Sequence, residues 1–248
     1  MEMREVRKYG ECDWCIHFST DFSQRCLGCM HGDDLREDLW EEATPEQIAE
    51  REAKELRELE DSIITEHLPM IPPDSLMKAF LLAKRFASAD RTKYASVYAV
   101  SDALIATDTY RLIEIACNVP LDLQGKSIVR FDDQGAALTD QEFHMKYKEC
   151  MAEANFIDNP DLPSMLTIEA QQDYFHDEVL TLTAPGHLIL LASKYVKDAQ
   201  DALGAITRLG YTDDVHPVIF HSDKGRMCVT PIRKIEQNPY KAEGRVTP

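Results

Sequence analysis

The sequence predicts an α+β chain, a mixed main domain of helices and antiparallel strands behind a small cysteine module. Three observations predict it. Apolar residues recur at helical spacing around residues 44–66, 75–89 and 192–207. Between and after them the pattern shortens to strand-like runs such as Val97–Val100, Leu104–Ala106 and Leu112–Cys117. Four of the seven cysteines crowd into a polar segment within residues 1–40. At 248 residues the chain has room for one large or two smaller domains. With 44% hydrophobic and 29% charged residues it buries a core without disulfide staples.

The elements follow in order. Thr44, Pro45 and Gln47 give a hydroxyl cap, a first-turn proline and a capping-box partner for a charged helix over 44–66. Ile48, Leu56, Leu59 and Ile63 form its thin apolar stripe. The run Leu68-Pro69-Met70-Ile71-Pro72-Pro73 breaks it, and the main domain begins there. Asp74 is placed as the cap of a second helix, over 75–89. Three short strands follow, with turns at Ser101-Asp102 and Thr107–Thr109, then a strand at Lys126–Phe131 and a turn at 132–135. Residues 139–154 read as a helix capped by Thr139 or Asp140, and 155–164 as irregular because of Asn159-Pro160 and Pro163. Val179–Leu182 reads as a strand, Ala192–Thr207 as a long helix ending near Gly210, and Val218–His221 with Arg226–Val229 as a hairpin around Asp223-Lys224-Gly225. No internal repeat is evident. The expected organisation is a module at 1–40, a charged linker helix at 41–68, a main domain at 69–236 and a frayed tail at 237–248.

Cys12-x2-Cys15-x10-Cys26-x2-Cys29 is the sharpest local signal. Each pair turns two thiolates toward one ion, and two pairs complete the tetrahedron of a structural Zn²⁺ site. Rubredoxin-like iron is the other occupant the spacing allows. A four-thiolate shell leaves no open position for a substrate, and binding would supply the module's folding free energy. His17 and His31 read as loop histidines, and Cys117, Cys150 and Cys228 as small packed residues.

The stretch Ala106-Thr107-Asp108-Thr109-Tyr110-Arg111-Leu112 resembles the "ATDGHRL" strand–turn–strand of bacterial sliding clamps, the β subunit of the replicative polymerase. Thr109 and Tyr110 stand where that family has Gly-His. Val229-Thr230-Pro231-Ile232-Arg233 is similar to the clamps' C-terminal "VMPMR", and Phe156-Ile157-Asp158 through Pro163 to their "FPDY…P" segment. The helix over 75–89 and a Leu188–Leu209 helix fall in clamp order. The resemblance covers residues 69–235 and implies a sliding-clamp-like domain with two main helices on antiparallel sheet. A clamp chain carries three such domains. This one has room for about one, so 132–178 reads as an insertion or a remnant of a neighbouring domain. Ring closure then calls for a homo-oligomer or association with another clamp.

Charge bears on that implication. The chain carries 27 basic and 44 acidic residues, a formal −17, which excludes a general nucleic-acid binder. Yet residues 74–93 hold Lys78, Lys84, Arg85, Arg91 and Lys93 against Asp74 and Asp90. Residues 188–210 hold Lys194, Lys197 and Arg208 against Asp198 and Asp201. Cationic helices in an acidic body are what holding a duplex without gripping bases demands. The expected phosphate contacts are Lys78, Lys84, Arg85, Lys194, Lys197 and Arg208. By the resemblance, Thr107, Asp108, Arg111, Leu112, Pro231, Ile232 and Arg233 frame a pocket for a partner's peptide.

The sequence contains no phosphate-binding glycine loop, zinc-protease helix or nucleophile elbow, so no enzyme is expected. The reading is a non-enzymatic DNA replication accessory protein with structural zinc, binding double-stranded DNA or a replication partner and no membrane. The run Met1–Lys8 has no apolar core, so a cytoplasmic location is expected, and the added cysteine module points to a phage or mobile element. The alternative is an interaction adaptor, or a decoy of a host replication protein, that does not touch DNA. The 8 basic and 19 acidic residues of 1–66 suit it.

Overall fold

A computed structural model describes residues 44–88, 94–141, 143, 146–168 and 178–232. The four clustered cysteines, Arg91, Lys93, Arg233 and the 237–248 tail lie outside the described residues. The chain divides after Asp61, and the two parts are taken separately.

Helix α1 spans Pro45–Ile63. Its start is the expected capping box. The Thr44 amide donates to Gln47 Oε1 (2.9 Å), and the Gln47 amide donates to Thr44 Oγ1 (3.3 Å).

From Ser62 onward the elements are β1 Glu66–Leu68, α2 Asp74–Lys84, β2 Val97–Ala99, β3 Ala103–Thr107, β4 Arg111–Ala116, β5 Ser127–Asp132, β6 Gly135–Thr139, α3 Tyr147–Cys150, β7 Asn155–Asp158, α4 Leu162–Met165, β8 Leu166–Ile168, β9 Val179–Ala184, β10 His187–Ala192, α5 Ser193–Leu203, β11 Arg208–Tyr211, β12 Val218–Ser222 and β13 Gly225–Val229. Ten strands form one antiparallel sheet in the order β1-β6-β5-β2-β3-β4-β13-β12-β11-β7, and β10-β9-β8 form a second. The α+β class expected from the sequence is observed.

The backbone repeats itself. α2-β2-β3-β4 and α5-β11-β12-β13 are each an eleven-residue helix followed by a three-strand meander. Their last strands, β4 and β13, pair antiparallel at the centre of the sheet, with Ile113 opposite Met227. The strand order reads outward from that seam in the same way on both sides. Gly225 is required there. Its φ is +144°, and a Cβ would sit 2.0 Å from the Glu114 carbonyl oxygen.

Alternation along the strands separates two faces. Leu104, Ala106, Ile113, Ile115, Val218, Phe220, Met227 and Val229 share one core with Leu76, Phe80 and Ala83 of α2 and Val196, Ala199 and Leu203 of α5. Both helices therefore lie on the same side of the large sheet. Ile105, Leu112, Ile219 and Cys228 face the other side, where Met151, Cys150 and Tyr147 cover them.

Several boundaries differ from expectation. Asp74 is the first helical residue of α2 and not its cap; Pro73 holds that position with no side-chain cap. The helix expected over 139–154 does not form as one element, because Thr139 ends the buried strand β6 and, among the described residues of that range, only Tyr147–Cys150 is helical. The irregular stretch at 155–164 contains β7 and α4. The long helix begins at Ser193, after strand β10, and stops at Gly204, whose φ is +76°. The hairpin around Asp223-Lys224-Gly225 forms as expected.

Candidate functional site

The β3–β4 turn is wound tightly by its own side chains. Thr107 Oγ1 donates to the Arg111 carbonyl (2.7 Å) and accepts from the Thr109 amide (3.0 Å). Asp108 Oδ1 accepts from the amides of Tyr110 (3.0 Å) and Arg111 (2.8 Å). Thr and Asp are needed here because only short polar side chains reach back to their own backbone. Thr109 has φ +81°, a left-handed conformation that a β-branched residue adopts at a cost. It stands where the resembling turn has glycine.

Arg111 leaves this turn toward the helix side of the sheet. Its Nε donates to Asp108 Oδ2 (2.8 Å), and its Nη1 donates to Asp198 of α5. The guanidinium carbon lies 5.2 Å from the Phe86 ring centre and 4.8 Å from that of Tyr195. Tyr195 in turn stacks on Tyr110 at 6.1 Å, and Tyr110 is 51% exposed. Burial, followed by the Asp108 carboxylate, pushes the Tyr195 hydroxyl up. The result is a stack of Phe86, Arg111, Tyr195 and Tyr110, pinned by two carboxylates, that ties the turn to both helical units. Sequence reasoning missed Phe86, Tyr195 and Asp198 as members. Asp198 is 87 residues from Arg111, and no local pattern announces the meeting.

The C-terminal segment reaches the same place. β13 pairs with β4, the Thr230 amide donates to the Tyr110 carbonyl (3.0 Å), and the Ile232 amide donates to the Leu190 carbonyl of β10 (2.8 Å). Thr107, Asp108, Arg111, Pro231 and Ile232 are thus brought to one end of the central strand pair. Leu112 faces the opposite core at 1% exposure, and Pro231 is buried.

The expected phosphate contacts divide. Lys78, Arg85, Lys194 and Lys197 are exposed, on or immediately after two helices that share one side of the sheet. Lys84 is half-buried, and its Nζ donates to the carbonyls of Ala95 (2.6 Å) and Val129 (2.9 Å), a structural role. Arg208 lies on β11 rather than on a helix, donates to Asp158 (2.9 Å) and covers the Phe156 ring at 4.5 Å.

Among the described residues no group of three His, Cys, Asp or Glu side chains is placed to hold a metal. Cys228 is buried, and burial pushes its thiol up to about 12; burial raises Cys117 and Cys150 as well. Among the described residues no helix is long and apolar enough to cross a membrane.

No protein-family model matches the chain, and no curated protein matches it. Solved structures do. The chain is similar to the DnaN sliding clamp of Bartonella birtlesii bound to griselimycin, at 14% identity over 68% of each chain and a TM-score of 0.47. It is similar to the DNA polymerase sliding clamp of Bacillus subtilis at 15% identity, over 69% of this chain and 66% of that one, with a TM-score of 0.47. For the DNA polymerase beta subunit of Streptococcus pyogenes the identity is 12%, the coverage 69% and 67%, and the TM-score 0.46.

Proposed function

We propose that the chain is a non-enzymatic DNA replication accessory protein with a sliding-clamp-like domain over the helix-and-sheet unit. It holds double-stranded DNA through Lys78, Arg85, Lys194 and Lys197, and it engages a replication partner at the Tyr110 end of the central strand pair. The observation that carries this reading is the meeting of two distant segments. The Thr107–Leu112 turn and the Val229–Ile232 strand end were matched to clamp motifs separately. They lie side by side on β4 and β13, as a shared pocket requires. The placement of the exposed Lys78, Arg85, Lys194 and Lys197 on one side of an acidic molecule supports the same reading, although α5 itself balances its two lysines with Asp198 and Asp201.

In this proposal the cysteine module at Cys12, Cys15, Cys26 and Cys29 holds structural zinc, and Lys84 and Arg208 are not phosphate contacts. The test is solution mass by light scattering on metal-quantified protein, with and without a DNA duplex, together with DNA affinity across a salt series. A closed oligomer, or an affinity whose log–log salt slope is roughly −3 to −4 per chain, supports four phosphate-neutralising cations. A monomer indifferent to DNA at low salt refutes the DNA-holding role and leaves the adaptor reading, in which the acidic residues 1–66 occupy a basic partner.

A further inference from the structure

On the side of the large sheet away from α2 and α5, a cleft of about 510 Å³ opens between β1, β6 and the segment leading into α3. It is large enough for a small ligand or a long side chain. Its wall is aromatic. Tyr98 and Phe143 stack with centres 5.1 Å apart and planes 4° apart, and Tyr147 tilts against Phe143 at 6.4 Å. Its polar lining is weighted toward acceptors. Glu66 and Asp140 contribute carboxylates, and the one cation, Lys126, already leans toward Glu66 at 3.7 Å. The surrounding field agrees. After burial, the carboxylates of Glu114 and Asp102 act to raise the Tyr147 hydroxyl, with Arg226 opposing.

We infer that this cleft binds a guanidinium or alkylammonium group, stacked on the Tyr98–Phe143–Tyr147 wall and paired with the Asp140 carboxylate. Aromatic faces and carboxylates together favour an organic cation over a neutral or anionic ligand. The cation arrives either on a free small amine or on an arginine or lysine side chain of a peptide.

The test follows the aromatic resonances of the full chain by NMR during titration. Ethylguanidinium and its neutral isostere ethylurea probe the free source. A capped Gly-Arg-Gly peptide and its citrulline counterpart probe the peptide source. The expected result is that a guanidinium compound shifts the Tyr98, Phe143 and Tyr147 signals at least about tenfold more tightly than its urea counterpart. Stronger binding of the peptide assigns the cation to a protein partner, and stronger binding of ethylguanidinium assigns it to a small molecule. Asp140→Asn should weaken binding about tenfold with the melting temperature monitored alongside. Absence of shifts at roughly 10 mM, equal midpoints for guanidinium and urea, or wild-type binding by Asp140→Asn overturns the inference. None of these outcomes depends on DNA, so they leave the clamp reading to its own test.

Discussion

Replacing Thr109 with glycine should make the protein more stable. Thr109 sits at φ +81° in the β3–β4 turn. A left-handed backbone costs an L-residue about 1–2 kcal/mol, and β-branching places the position at the upper end. Glycine removes that cost but adds freedom to the unfolded chain, which offsets about 0.4–1 kcal/mol. The net expectation for Thr109→Gly is about 1–1.6 kcal/mol of added stability, or about 2–6 °C in Tm for a domain of this size. The amide bond from Thr109 to Thr107 Oγ1 survives the change, because it uses backbone on one side and an untouched hydroxyl on the other. Thr109→Ala is the comparator. It removes the branch but stays an L-residue at the same φ, so it should stay within about 0.5 kcal/mol of wild type. Urea unfolding followed by circular dichroism measures all three proteins, with equal m-values as the condition for comparison. A Thr109→Gly variant less stable than wild type would refute the reasoning. It would mean that contacts of the threonine side chain outweigh the backbone strain, and that the departure from glycine in this turn is a stabilising one.

The remaining predictions address the site and its surroundings. Arg111→Ala leaves the carboxylates of Asp108 and Asp198 facing each other and unstacks Tyr195, so a loss of about 2–3 kcal/mol is expected in the same unfolding assay. Arg111→Lys keeps the charge but loses the planar fork, and should recover less than half of that; full recovery would show that charge alone matters. Lys84→Met strands the Ala95 and Val129 carbonyls and should cost about 1–3 kcal/mol while leaving the salt slope of DNA binding unchanged. Lys194→Met and Lys197→Met should each lower that slope by about 0.9 with little change in stability. Asp213 accepts from the amides of Val215 and His216 and from the His216 ring, which holds its pKa down to about 2. Because the folded pKa is depressed, this stabilisation is present above pH 3.8 and disappears as pH falls toward 2. An NMR midpoint for the Asp213 carboxyl near 3.8 would contradict the assignment.

What the sequence made legible, and what it hid, follows from the range of the interactions. The capping box of α1 and the hairpin at Gly225 are written in residues three or four apart, and both form as read. The Gly-Ala-Ala-Leu-Thr of β6 announces no strand in the sequence, and its last residue, Thr139, reads as a helix cap. A fully buried strand poor in β-branched residues lacks the period-two alternation that announces a strand. His187–Ala192 is ambiguous for a related reason: a short continuous apolar run fits a strand and a helix equally well. The repeat of α2-β2-β3-β4 in α5-β11-β12-β13 left no mark a reader could see, because backbone topology asks only for matching binary patterns and turns.

The candidate site lies between these cases. Thr107, Asp108 and Arg111 stand out in the sequence only through the resemblance of Ala106–Leu112 to the clamp turn; the structure adds that such a turn needs a short acceptor beside its own amides. What Arg111 does was not legible, since its partners come from both helical units and only the β4–β13 seam brings them together. A residue picked out as a pocket contact proves to be a clasp, 13% exposed and held on four sides. That shifts the partner surface outward. The accessible group at this end of the seam is the ring of Tyr110, stacked on Tyr195 and fixed before any partner arrives. A half-exposed tyrosine already stacked on a neighbour loses little entropy on binding, so in the proposed function it is the anchor for a partner. Tyr110→Ala should therefore weaken partner capture while leaving the Arg111 clasp and the DNA salt slope intact. A variant that loses both functions together would show that Tyr110, which rests on Tyr195 of the helix carrying Lys194 and Lys197, serves DNA binding as well as partner capture.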